Sequence, residues 1–458
     1  MLHMRGAAEL LALYARGEVS PVEVARDLVA HIGRNEPRLH ALWAFDADAL
    51  LDQARASESR WQRGEALALD GVPVTIKENI ATRGTPVPLG CAATELVPAA
   101  QDAPPAARLR EAGALIVAKT TMPDYGMLSS GLSSFHALTR NPWDLAMNPG
   151  GSSAGAAAAC AAGYGPLHIG TDIGGSIRLP AAWCGVVGFK PSLGRVPIDP
   201  PYAGRVAGPL TRTVEDAALA MAVLAQPDVR DAMSLPPQAI AWNDLDLDPK
   251  GLKIGLWLDA GWGAALDPAA QRAVVAAARA FEAAGAIVEP LGPFTTRAMA
   301  EGLNDFWRTR AWLDIAALPP ERQAKVLPYI FAWAEGGAGL SGERVFRGFS
   351  QMAAIRDAAV RATQPFDAVL SPVSPVVKFA AEWASPLNDP ARPFEHIAFT
   401  LPFNMSEQPA IALNAGYDDS GFPIGLQFAT RRHDDLAALR IARAWERLRG
   451  PQRPLPGG

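Results

Sequence analysis

Cysteine is scarce: Cys91, Cys160 and Cys184 are the only three in 458 residues. Three scattered thiols cannot form a disulfide framework, and no C-x-x-C or H-E-x-x-H spacing suggests zinc. The expectation is a reducing, cytoplasmic setting and no metal. Excess positive charge is missing too. A formal net charge of −5 leaves no basic field for a phosphate backbone, which argues against a nucleic-acid partner. No run reaches the roughly 18 apolar residues of a membrane span, and the small-residue stretch Ala154–Ala162 is far too short. Met1 to Gly6 leads into Glu9 and a broken apolar pattern rather than the apolar core of a signal peptide.

What is present suits an enzyme built on a large sheet. Hydrophobic residues make up 49% of the chain and charged ones 19%, enough to bury an extensive core. Residues 7–33 read as two amphipathic helices separated at Gly17, the second restarting at Ser20-Pro21-Val22-Glu23 with cap and proline in place. Ala47 to Arg60 is a third helix, which closes an N-terminal helical segment of about 1–65. Beyond residue 70, β-prone runs at Val72–Ile76, Ala114–Ala118, Lys253–Leu258, Ala286–Val288 and Asp367–Pro372 alternate with helical patterns at 104–112 and 267–284. Asn404 to Gln427 reads as two strands around the turn Asp418–Gly421, 431–449 as a closing helix, and Pro451–Gly458 as a frayed tail. This alternation predicts an α/β fold with a mixed central sheet flanked by helices on both sides. No repeat or linker divides residues 1–458, so a single domain is expected. Its unusual part is a helical stretch at about 298–352, rich in Phe306, Trp307, Trp312, Tyr329, Phe331, Trp333, Phe346 and Phe349.

Two segments carry the chemical signal: Gly150-Gly-Ser-Ser-Ala-Gly155 and Gly170-Thr-Asp-Ile-Gly-Gly-Ser-Ile-Arg178. Attack on a carbonyl needs a nucleophile beside main-chain N–H groups aimed at the developing oxyanion. Ile173-Gly174-Gly175-Ser176 has that composition, with glycines that let a substrate approach the backbone. The hydroxyl needs a base, and no histidine lies within 170–178. A lysine serves only if neutral, which takes roughly three pKa units, or about 4 kcal/mol, of bias against its charge. Of seven lysines, Lys77 and Lys119 each end a β-prone apolar run. Composition does not choose between them.

Gly71-Val-Pro-Val-Thr-Ile-Lys-Glu-Asn79 and the two serine–glycine segments, in that order, resemble the signature blocks of the amidase signature family. The likeness extends to the N-terminal helical pattern and to Gly421–Gln427. The resemblance implies Lys77 as neutral base, Ser152 as proton relay joined to Gly151 by a cis peptide, and Ser176 as the nucleophile that forms an acyl-enzyme. It also implies an oxyanion hole from the N–H groups of Ile173, Gly174, Gly175 and Ser176, with no cofactor. Ser153 is expected to support the site by hydrogen bonding, Asp172 and Arg178 to brace the loop, and Gly126, Met127 and Leu128 to line the acyl side. The implied activity is hydrolysis of a small-molecule amide, with carbamates, urethanes and esters as relatives' substrates, by a monomer or homodimer. The aromatic segment leans this towards bulky, apolar substrates.

Three other readings compete. The same triad would serve the amidase subunit of a tRNA-dependent amidotransferase, which works with partner subunits. Gly151-Ser-Ser-Ala-Gly155 also matches a G-x-S-x-G elbow centred on Ser153, with Asp367 and His396 following in α/β-hydrolase order; that motif should follow a strand. A glycine-rich nucleotide loop lacks the G-K-[ST] or G-x-G-x-x-G it needs.

Overall fold

Eleven strands form one mixed sheet in the computed structural model, which describes residues 1–457. They are β1 (Leu42–Trp43), β2 (Pro73–Lys77), β3 (Leu115–Thr120), β4 (Leu167–Asp172), β5 (Val187–Lys190), β6 (Val206–Thr211), β7 (Lys253–Trp257), β8 (Ile287–Leu291), β9 (Ala368–Pro372), β10 (Ala410–Tyr417) and β11 (Pro423–Thr430). Their spatial order is β1-β3-β2-β4-β6-β5-β10-β11-β9-β7-β8. The trio β3-β2-β4 is parallel, as is β9-β7-β8, and antiparallel strands join the two groups.

Burial explains why β2 reads as an apolar run. Every residue of β2 and β4 is buried, because helices cover both faces. On one face Val74, Ile76, Leu167 and Ile169 pack with the helices Val214–Leu224, Pro268–Ala283 and Asp435–Leu448. On the other lie Ala154–Ala161 and Arg178–Cys184. The first of these is almost all alanine and wholly buried. Gly155 shows how close it comes: a Cβ there would sit 2.5 Å from the Thr121 amide nitrogen. The parallel trio matters most for function, since β2 and β4 both run their C-terminal ends, Lys77 and Asp172, to the same edge of the sheet. Ligand crevices form at such edges.

The N-terminal helices form as their sequence dictates, Pro21–Leu39 beginning with a full capping box between Ser20 and Glu23. The 298–352 segment is helical over Arg297–Ala316, Pro320–Gln323, Pro328–Glu335 and into Gly342–Thr363. Two expectations need correction. Asn404 lies in a short helix, Leu401–Met405, and β10 begins only at Ala410. The tail is docked: the Arg453 N–H donates to the Tyr417 hydroxyl at 3.0 Å and the Gly457 N–H to the Ala161 carbonyl at 3.2 Å. Strands β4, β5 and β6 were not legible, because Gly170, Gly188, Gly208 and Pro209 depress strand propensity; the helix Ala154–Ala161 was missed too, since its buried small residues show no polar face. Packing demands those glycines; a Cβ on Gly170 would meet Ser153 Oγ at 2.6 Å.

Candidate active site

Lys77 is the last residue of β2 and is fully buried. Its Nζ lies 2.7 Å from Ser152 Oγ, 3.1 Å from Ser153 Oγ and 3.0 Å from Thr171 Oγ1. Burial pushes its pKa down to about 7, even though Asp172 and Glu78 pull the other way. Lys119 is no different in this respect: burial lowers it to about 7 as well. Its Nζ, however, is held by the Ile80 carbonyl and by Thr82 Oγ1, away from every serine of the two glycine-rich segments. Contact, not basicity, separates the two lysines.

The peptide between Gly151 and Ser152 is cis. Gly151 is pressed against the 128–130 segment, where a Cβ would stand 2.5 Å from the Ser130 amide nitrogen. No strand precedes the G-x-S-x-G match, and Ser153 caps the helix Ala154–Ala161. Ser153 Oγ donates to the Thr171 carbonyl at 3.2 Å and accepts from Lys77. Asp367 instead takes hydrogen bonds from the Lys253 N–H and Arg431, and His396 packs near Trp183. The elbow triad is therefore not assembled. His168 is no base either: burial holds its pKa near 3, and Thr75 and the Gly165 carbonyl occupy its ring nitrogens.

Asp172, at the end of β4, organises the second segment. Its carboxylate pairs with Arg178 through Nε at 3.0 Å and Nη2 at 3.0 Å, both side chains fully buried. It also accepts from the N–H groups of Gly175 at 2.8 Å and Ile177 at 3.1 Å and from Asn404 Nδ2 at 2.8 Å. Burial alone would raise this carboxyl; the facing guanidinium outweighs it and holds the group far below the usual range. Arg178 spends its remaining donors on the Thr400 carbonyl, Gln427 Oε1 and Asn404 Oδ1, so none is left for a ligand. Removing one partner strands the other charge. Asp172→Ala is expected to cost about 3–5 kcal/mol of unfolding free energy, read as a lower urea midpoint.

This bracing engages one of the four N–H groups expected to form an oxyanion hole. The Gly175 N–H points at Asp172, and Gly175 (φ +127°) does not line the cavity. Among the described residues the N–H groups of Ile173, Gly174 and Ser176 have no protein acceptor, and all three residues do line it.

That cavity encloses about 820 Å³ of space, its open mouth included. Ser152 and Ser176 share its wall with Gly126, Met127 and Leu128. The Ser153 N–H donates to the Ser176 carbonyl at 3.1 Å, which ties the two serine segments together. Ser176 Oγ itself has no hydrogen-bonded protein partner among the described residues. Of the eight aromatics singled out in 298–352, only Trp307 reaches the cavity, where Phe394 packs edge-on against it. Phe346 and Phe349 are exposed, and the rest pack into the helical layer. Sequence reasoning missed Asn79 and Thr171. Asn79 Nδ2 donates to Thr171 Oγ1 at 3.1 Å, and both line the cavity beside Lys77. Their positions, two after the lysine and one before the aspartate, were the available signal.

Residues 23–439 match the Amidase family model. The chain belongs to the amidase family. It is an amidase-family enzyme acting on amides. It is 35% identical to a glutamyl-tRNA(Gln) amidotransferase subunit of Myxococcus xanthus (strain DK1622), over 96% of each chain. Identity to an acylamidase of Rhodococcus erythropolis is 32%, over 98% of this amidase and 96% of the relative. A bacterial aryl acylamidase of the amidase signature family superposes with a TM-score of 0.91 at 29% identity, covering 100% of this amidase and 99% of that chain. No helix among the described residues is long and apolar enough to cross a membrane.

Proposed function

We propose that this enzyme hydrolyses amides through a seryl acyl-enzyme, with Ser176 as nucleophile, Ser152 as relay and Lys77 as base. The observation that carries this is the fully buried Lys77 amine 2.7 Å from Ser152 Oγ. A neutral amine has two N–H donors and one lone pair, and three hydroxyls surround it. Ser153 spends its own proton on the Thr171 carbonyl. Thr171 Oγ1 already faces the donors of both Asn79 and Lys77. Ser152 is thus the hydroxyl left to donate into the lone pair, which makes it acceptor for the Ser176 proton.

The steps follow. Ser176 Oγ bonds to the carbonyl carbon as its proton passes to Ser152 Oγ, whose own proton moves to Lys77 Nζ. The N–H groups of Ile173, Gly174 and Ser176 hold the oxyanion. Collapse breaks the C–N bond while the proton returns through Ser152 to the leaving amine. Water then repeats the sequence on the ester and frees the acid. A protonated Lys77 offers no lone pair, so activity is lost as pH falls through its pKa. kcat/KM is expected to rise about tenfold per pH unit below pH 7 and to level above it, as a pH–rate profile would show.

Met127, Leu128, Trp307, Phe394 and Ile397 give the cavity an apolar wall. This favours aryl or otherwise bulky amides, anilides and urethanes over short aliphatic amides. Likeness to amidotransferase subunits supports a second reading, a chain that works with partner subunits on glutamine. Assaying the purified chain with a nitroanilide, a short aliphatic amide, an aryl carbamate and glutamine separates these. Turnover of the bulky compounds is the expected result; glutaminase activity alone would favour the second reading.

A further inference from the structure

Two arginines share the cavity wall with Ser152 and Ser176, and neither forms an ion pair among the described residues. Arg205, Arg310 and Tyr202 all line the cavity. Arg205 is largely buried; one of its N–H groups donates to the Pro200 carbonyl, while its Nε is buried without a partner. Burial and the neighbouring Arg310 both act against its charge. Asp231 and Asp199 draw on it only from beyond ion-pair distance. The Arg310 guanidinium lies 4.4 Å from the centre of the Tyr202 ring and makes no hydrogen bond or ion pair among the described residues. The Tyr202 hydroxyl is likewise buried and unpartnered.

Two other buried arginines are paired within the protein. Arg178 and Arg195 each meet an aspartate inside the protein, at 3.0 and 2.9 Å. Two like charges facing one cavity, with idle donors beside them, fit an oxyanion that arrives with the ligand. A planar guanidinium matches a carboxylate in two N–H···O bonds, and a second one opposite adds a further pair. Met127, Leu128, Trp307, Phe394 and Ile397 line the same cavity, so a ligand with a charged end and an apolar body matches both parts of its wall.

We propose that the preferred substrate is an amide whose apolar body carries a carboxylate remote from the scissile bond, held by Arg205 and Arg310. This rests on the hydrolase reading and sharpens it. The step remains C–N cleavage with water as co-reactant, and the carboxylate takes no part in the chemistry.

Two matched pairs test the idea, succinanilate against butyranilide and 4-acetamidobenzoate against acetanilide. They place the carboxylate on the acyl and amine sides respectively. In at least one pair the wild-type enzyme is expected to favour the charged member about tenfold or more in kcat/KM at low salt, with the ratio shrinking as salt rises. Arg205→Gln and Arg310→Gln should each reduce that ratio, and together bring it near one. Arg310 is exposed, so its variant keeps the test alive if Arg205→Gln fails to fold. Calorimetric binding of the same four compounds to Ser176→Ala supplies a readout without turnover. Absence of hydrolysis together with arginine-dependent binding of the charged member would overturn the hydrolase reading and leave this inference standing. Hydrolysis without preference in either pair, or a preference that survives both substitutions, would overturn the inference alone.

Discussion

Ser176→Ala is expected to lower kcat for amide hydrolysis by on the order of 10⁴-fold or more. The expectation follows from the loss of a cavity-lining hydroxyl that stands beside the free N–H groups of Ile173, Gly174 and Ser176 and has no hydrogen-bonded protein partner among the described residues. KM should change little, because the apolar wall and the mouth of the cavity stay as they are. A variant within about tenfold of wild-type turnover would mean that another group attacks the carbonyl.

The second large effect belongs to Lys77. Lys77→Met keeps an apolar stem in an apolar seat and removes the amine, so folding should be preserved, while kcat falls by about 10³-fold or more. The acid limb near pH 7 should vanish from whatever activity remains. Lys77→Arg gives no rescue, since a guanidinium stays charged at any working pH and has no lone pair to receive a proton. The matching substitution at Lys119 makes a clean control. That lysine is as buried and as depressed in pKa, yet its amine bonds only to Ile80 and Thr82. Lys119→Met should leave the pH profile intact.

This contrast also marks how far sequence reasoning reaches. Both lysines lie at the C-terminal ends of buried β-strands, and nothing local distinguishes them; the resemblance to the family chose Lys77, and the two differ in their contacts, Lys77 meeting Ser152 and Lys119 meeting Ile80 and Thr82. The strand–helix alternation, the capped N-terminal helices and the helical nature of 298–352 were legible because each rests on periodicity or capping within a short window. Strands β4 to β6 were not, since their glycines are set by partners far along the chain, such as Phe189, whose carbonyl lies 2.2 Å from where a Cβ on Gly208 would stand. The oxyanion segment shows the same limit. Composition marked Ile173 to Ser176 as a run of donors, but it could not reveal that Asp172 turns back to claim the Gly175 N–H. The aromatic segment promised a cavity wall and supplies one ring, Trp307, the others being used to pack helices. Arg205 and Arg310 drew no attention in the sequence, because an arginine is informative only when its counter-charge is seen to be missing.

Asp172 connects the parts of this account. Its carboxylate fixes Arg178, takes the N–H groups of Gly175 and Ile177, and so leaves those of Ile173, Gly174 and Ser176 free. Such preorganised donors cost no reorientation when charge develops on the substrate oxygen. Loss of stability in Asp172→Ala should therefore come with loss of activity, even at temperatures where the variant is fully folded.

The most direct test is to react the wild-type protein with a fluorophosphonate and locate the adduct by peptide mass spectrometry. A neutral Lys77 acting through Ser152 predicts phosphonylation of Ser176, with a labelling rate that falls below pH 7. An adduct on Ser153, or labelling of Ser176 that proceeds unchanged in Lys77→Met, would contradict it.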